Sequence, residues 1–159
     1  MSDVELAIGD KAPDFEATIS DGSIVVLSEL LDKGKKVILY FYPRDNTPGC
    51  TTQACDFRDN FARFQGSGWV VLGVSTAGAK SHKKFIDKHE LPFDLIVDDE
   101  ADLHRAYGTW REKSMYGKKY MGTLRSTFAI GSGGSLAWVG YGVKTKGHVD
   151  SLMESLKVE

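Results

Sequence analysis

Residues 37–55 read VILYFYPRDNTPGCTTQAC. The first six side chains are β-branched, aliphatic or aromatic with no polar alternation, which predicts a strand buried on both faces rather than one with a wet side. Pro43 ends it. From Cys50 the period changes: Cys50, Ala54, Phe57, Phe61 and Phe64 recur at steps of four and three, lining one face of a helix that should run to near Gly66, with Cys55 to the side of that stripe. A buried strand thus feeds, through a Pro- and Gly-containing loop, a helix that starts at a cysteine.

Upstream, Phe15, Ala17 and Ile19 alternate with Glu16 and Thr18, and Asp21-Gly22 supplies turn chemistry before Ile24-Val25-Val26, which predicts an N-terminal hairpin. Downstream, WVVLGVS (69–75) reads as a second buried strand, SHKKFIDKHEL (81–91) as an amphipathic helix starting at Ser81, and FDLIVD (93–98) as a third strand. ADLHRAYG (101–108) suggests a short helix closed by Gly108. STFAIG (126–131) and SLAWVG (135–140) flank Ser132-Gly133-Gly134 as a hairpin, and Val149, Leu152, Met153 and Leu156 give a closing helix its apolar face. The aromatic-rich stretch Thr109 to Tyr120 is open between a loop over a pocket and a contact surface. Strands alternating with helices, with hairpins at the ends, imply an α/β sandwich: a mixed sheet covered by helices on both faces.

The 159 residues fit one domain spanning 1–159, without internal repeat or linker. Hydrophobic residues at 42% and charged residues at 26% argue against disorder. Lys+Arg 20 against Asp+Glu 22 leaves a charge of -2, which recommends neither nucleic acid nor an anionic membrane as partner. Asp3 and Glu5 stand where a secretory leader would be basic, and VILYFY is far shorter than the roughly 20 apolar residues that span a bilayer. A cytoplasmic protein is expected. Two cysteines are too few for a secreted disulfide scaffold, and a close pair in a cytosolic chain points to redox chemistry.

At the first turn of a helix, free backbone N–H groups and the positive end of the helix dipole stabilise an anion. A thiol at Cys50 therefore holds an enlarged thiolate fraction, and the thiolate is the form that attacks an O–O bond. Displacement on oxygen also needs polar groups to align the peroxide and receive charge on the departing oxygen. Thr47 can offer its hydroxyl; for a cation, Arg44 and Arg125 are both candidates. The resulting sulfenic acid can be converted to a disulfide by a nearby thiol. Cys55 is five residues on. On an intact helix the two Cα atoms are roughly 8–9 Å apart, beyond the ~7 Å that a disulfide tolerates, so pairing requires the first turn to unwind.

Other readings stand beside this one. Cys50 can be a buried hydrophobe, Cys55 an inert thiol, Thr47 an N-cap and Arg125 a strand-edge cation. His82, His89, His104 and His148 are scattered without ligand-like pairing, so no metal or other cofactor is expected. The lysine clusters at 33–36, 80–84 and 118–119 read as solvated faces. A thiol–disulfide oxidoreductase of the thioredoxin kind would typically carry Cys-x-x-Cys, against the x4 spacing here; a redox sensor read by a partner is a further alternative.

The residues resemble the peroxiredoxins and, within them, the subgroup called PrxQ or bacterioferritin comigratory protein. The family pattern P-x-x-x-T-x-x-C appears as Pro43, Thr47 and Cys50, and the subgroup's T-P-G-C-T-x-x-A-C as Thr47 through Cys55. GDKAPDFEA, SHKKFIDKHELPFDLIVDDE and LRSTFAI extend the likeness over nearly the whole chain. The resemblance implies a thioredoxin-like fold, reduction of hydrogen peroxide and organic hydroperoxides, a Cys50–Cys55 disulfide recycled by thioredoxin, and in many members a monomer. It gives Arg125 the active-site arginine's role, places Pro43 in the site, and puts Gln53 where the family often has a glutamate or glutamine. The chain departs from the pattern in GVSTAGAKSH, which lacks an aspartate after Val-Ser, and at Gly131, where an aspartate often follows the strand.

Overall fold

The run from Val37 lies inside a seven-stranded sheet, with every residue from Val37 to Tyr42 buried. The computed structural model describes residues 4–158; Asp3 lies outside them. The chain begins with strands β1 (Glu16–Ile19) and β2 (Ile24–Val26), helix α1 (Leu27–Asp32) and β3 (Lys36–Phe41). Helices α2 (Pro48–Asp59) and α3 (Phe61–Gly66) lead to β4 (Trp69–Ser75), α4 (Ala79–His89), β5 (Asp94–Val97) and α5 (Asp102–Ala106). The chain closes with β6 (Trp110–Met115), β7 (Lys118–Thr123), β8 (Ser126–Ile130), β9 (Leu136–Tyr141) and α6 (His148–Leu156).

The sheet order is β2-β1-β5-β4-β3-β8-β9. β3, β4 and β5 are parallel neighbours, and the pairs β1/β2, β1/β5, β3/β8 and β8/β9 are antiparallel, so the sheet is mixed. Side chains of β3 alternate between two cores because successive residues of a strand point to opposite faces. Ile38, Tyr40 and Tyr42 pack with Ala54 and Phe57 of α2, Phe64 of α3, Phe85 of α4, and Val149 and Leu152 of α6. Val37, Leu39 and Phe41 pack with Leu27 of α1 and with Leu103 and Tyr107 near α5. The Phe57 ring stacks on Tyr40 at 4.7 Å between centroids, which seats α2 on β3. This is the thioredoxin-like α/β sandwich expected, with its N-terminal hairpin.

Two expectations need correction, and a stretch left open takes a definite form. The helix from Cys50 to Gly66 is two helices that meet at Asn60, whose Nδ2 donates to the Asp56 carbonyl at 2.8 Å. The Asn60 backbone (φ -111, ψ 10) is outside helical values; a side chain that bonds a nearby backbone carbonyl competes with the helix ladder, while the apolar stripe runs on across the break. Helix α4 starts at Ala79, two residues before Ser81. The stretch 109–120 belongs largely to a separate antiparallel ribbon, β6 with β7. Its turn is Tyr116-Gly117, both at positive φ (52° and 79°), as a two-residue type I′ hairpin demands. Among the described residues no helix is long and apolar enough to cross a membrane.

Candidate active site

Cys50 is the third residue of α2 and 1% exposed. Its position follows from the chain: β3 ends at Phe41, the loop turns through Asn46 at φ 61, and Pro48 opens the helix, where its missing N–H costs nothing. Because β8 runs antiparallel to β3 with Ser126 opposite Phe41, Arg125 arrives beside the end of β3 where that loop departs. Arg125 Nη2 donates to Cys50 Sγ at 3.3 Å, and Nη1 donates to Gln53 Oε1 at 2.7 Å. Gln53 is fully buried, one helical turn beyond Cys50. The guanidinium is thus held by an amide while it faces the sulfur.

Gly49 allows a close approach to Thr145 and Arg125. A Cβ there would lie 3.3 Å from Thr145 Cγ2 and 3.4 Å from Arg125 Nη2. Thr145 comes from the loop between β9 and α6, which brings another hydroxyl beside the site. Thr47 occupies the N-cap position of α2, but its side chain makes no capping bond; Oγ1 donates to the Arg44 carbonyl at 2.9 Å. With its proton so used, the hydroxyl presents lone pairs to a ligand. Arg44 itself is exposed, and the guanidinium that reaches the sulfur is that of Arg125. Pro43 and Thr47 line a cleft of about 420 Å³ with Arg44, Trp110, Lys113 and Tyr120, so the ribbon forms one wall of it.

Cys55 is partly exposed and both thiols are free. Its Sγ lies 3.9 Å from His89 Nδ1 near the end of α4, while Arg58 Nη1 donates to the His89 carbonyl at 2.9 Å. Helix α2 is continuous from Pro48 to Asp59, so the two cysteines sit on one intact helix with different neighbours.

The expected site residues are therefore gathered as follows: Cys50, Arg125 and Gln53 are in direct contact, Thr47 and Pro43 sit on the adjoining cleft, and Cys55 faces α4. Sequence reasoning missed Lys113, Thr145 and a buried pair, Asp45 and His82 (Nδ1 to Oδ2, 2.7 Å). Burial and the nearby Arg125 charge lower the Lys113 ammonium below its ordinary value, opposed by Cys50. No local pattern marks Lys113 or Thr145. Nothing in the sequence marks Asp45 either, since its partner is 37 residues away.

The model of the AhpC/TSA family matches residues 8–139. Peroxiredoxin Bcp of Bacillus subtilis is 48% identical over 152 residues, covering 96% of each chain. A cysteine-to-serine variant of Xylella fastidiosa PrxQ superposes with a TM-score of 0.90 at 33% identity, over 97% of each chain. A bacterioferritin comigratory protein of Xanthomonas campestris, a structure concerned with that protein's alkyl peroxide reduction activity, superposes with a TM-score of 0.85 at 34% identity, over 99% of this chain and 98% of that one.

Proposed function

This chain belongs to the AhpC/TSA family and is a peroxidase of its Bcp/PrxQ peroxiredoxins, and on that premise we propose that Cys50 is the nucleophile and Cys55 the thiol that resolves it. The Cys50 thiolate attacks the terminal oxygen of ROOH. The O–O bond breaks, its electron pair leaves on RO⁻, which takes a proton, and the sulfur becomes a sulfenic acid. Hydrogen peroxide gives water and an organic hydroperoxide gives its alcohol. The Cys55 thiolate then attacks the Cys50 sulfur, the S–S bond forms, and the hydroxyl leaves as water. A dithiol reductant, thioredoxin in our reading, returns both thiols.

The observation that carries this reading is the Arg125 guanidinium donating to a buried sulfur on the first turn of α2. A cation there can receive charge as the O–O bond lengthens. Thr47 supports alignment of the peroxide by accepting from its O–H, and Pro43 shapes the turn beside it. Cys55 requires α2 to unwind before the sulfurs can meet, since the intact helix separates the Cα atoms by roughly 8–9 Å. The enzyme works in our reading as a cytoplasmic monomer of one domain, as the sequence and the resemblance to the subgroup imply.

The test is peroxide consumption with thioredoxin, its reductase and NADPH. Wild type should turn over, Cys50→Ser should be inactive, and Cys55→Ser should complete a single oxidation. Full activity in Cys50→Ser, or none in wild type with any dithiol, overturns the assignment.

A further inference from the structure

Asp45 lies between β3 and the cysteine, and its carboxylate is almost wholly withdrawn from water (side chain 2% exposed). Tyr42 Oη donates to its Oδ1 at 2.6 Å, Ser81 Oγ donates to Oδ2 at 2.8 Å, and His82 Nδ1 meets Oδ2 at 2.7 Å. The second ring nitrogen of His82, Nε2, lies 2.8 Å from the Ile96 carbonyl. Both ring nitrogens of His82 thus face acceptor oxygens, one of a carboxylate and one of a carbonyl. Burial raises the Asp45 carboxyl, but the bonds from His82 and Tyr42, the His82 charge and the Ser81 bond outweigh it and hold it below the ordinary carboxylate value.

The bonds tie the loop to two other parts of the fold: Ser81 and His82 are in the first turn of α4, and Ile96 is on β5. Around Asp45 the loop is otherwise loosely held, with Arg44, Asn46 and Pro48 exposed and Asn46 at φ 61. Downstream the helix must open for Cys50 and Cys55 to join. Removing one member of a buried hydrogen-bonded pair leaves the other unsatisfied, so this anchorage is strong while intact and fails abruptly when cut.

We propose that the buried Asp45–His82 pair is a latch that holds the loop into Cys50 in its wound, peroxide-reactive arrangement and sets how readily the first turn of α2 unwinds toward the disulfide. It rests on the roles given above to Cys50 and Cys55. Asp45 and His82 are positioning residues that act through the loop backbone. Weakening the latch enlarges the unwound population, which speeds disulfide formation without speeding attack on peroxide, and leaves the sulfenic acid less time to react with a second peroxide.

The experiment compares wild type with Asp45→Asn, which keeps the shape and removes the charge. Amide exchange is followed over residues 46–52 of the reduced protein, and rapid-quench mass spectrometry separates sulfenic acid formation from disulfide formation. Exchange at 46–52 and the disulfide step should each rise by roughly tenfold, the scale of one charged hydrogen bond, while the peroxide step does not rise and less sulfinic acid accumulates in excess peroxide. Ser81→Ala, which spares the Asp45–His82 contact, should move both in the same direction by a smaller factor and decides the matter if Asp45→Asn does not fold. Unchanged exchange at 46–52 overturns the latch, and so does faster exchange with an unchanged or slower disulfide step. A wild type that forms no Cys50–Cys55 disulfide defeats the role given to Cys55 instead, and exchange alone then decides the latch.

Discussion

Arg125 Nη2 donates to Cys50 Sγ across 3.3 Å although 75 residues separate the two in the chain. The other arm of the same guanidinium is engaged by Gln53 Oε1 at 2.7 Å, so the fork is fixed at both prongs. A lysine can carry the charge but cannot make both contacts from one planar group. Arg125→Lys should therefore lower kcat/KM for hydrogen peroxide by about 10²-fold, the loss typical of one transition-state donor, measured at saturating reductant. A loss below threefold would remove Arg125 from the chemistry.

Gln53 Oε1 accepts from the guanidinium whose other arm donates to the sulfur. Gln53→Ala should lower the rate of Cys50 oxidation by about tenfold, the worth of one hydrogen bond to a charged group. In an Arg125→Ala background the same change should have little further effect, because the two residues form one unit. Additive losses in the double variant would show that Gln53 contributes by another route.

His148 is buried (7% exposed), with Nε2 2.9 Å from Thr127 Oγ1. Burial, and then the Arg125 charge, push its ring down from 6.5 to about 4. The unfolded chain thus binds the proton more readily than the folded one between those values. Its stabilising contribution is complete above pH 6.5 and is lost as pH falls toward 4, which amounts to about 2 kcal/mol between pH 7 and 5. Urea unfolding at the two pH values should show a loss in wild type larger by about that amount than in His148→Gln. Equal losses would place the acid sensitivity elsewhere.

Gly73 on β4 sits opposite Tyr40 of β3, and a Cβ there would come within 2.7 Å of Leu95 Cδ2 and 2.9 Å of the Tyr40 hydroxyl. Both neighbours are fully buried, so neither has room to retreat. Gly73→Ala should cost about 1–3 kcal/mol by overpacking, read as a lower urea midpoint. A neutral outcome would mean that the sheet widens there at little cost.

Oxidation should loosen the segment around the cysteines. If the disulfide forms by unwinding α2, amide protection across residues 47–56 falls in the oxidised protein while that of β3 and β8 is kept. Equal protection in the two redox states would exclude the unwinding.

The buried strand from Val37, the chain's turn into a helix at Cys50, and the five-residue spacing of the thiols were legible locally, because side-chain period and helix rise are properties of neighbouring residues. From these alone followed the α/β class, the thiol at a helix start and the need to unwind. The break at Asn60 escaped the pattern, since an apolar stripe continues across it. The ribbon from Trp110 to Thr123 was left open because its mostly exposed strands lack a clean apolar alternation, although the Tyr116-Gly117 turn was there to be seen. Between Arg44 and Arg125 the local pattern did not choose, and only the family resemblance favoured Arg125. That choice, and the meeting of Asp45 with His82 across 37 residues, belong to the tertiary structure: the register of β8 on β3 and the seat of α4 bring distant side chains within hydrogen-bond reach, and a register is fixed by packing of the whole sheet rather than by any window of the chain.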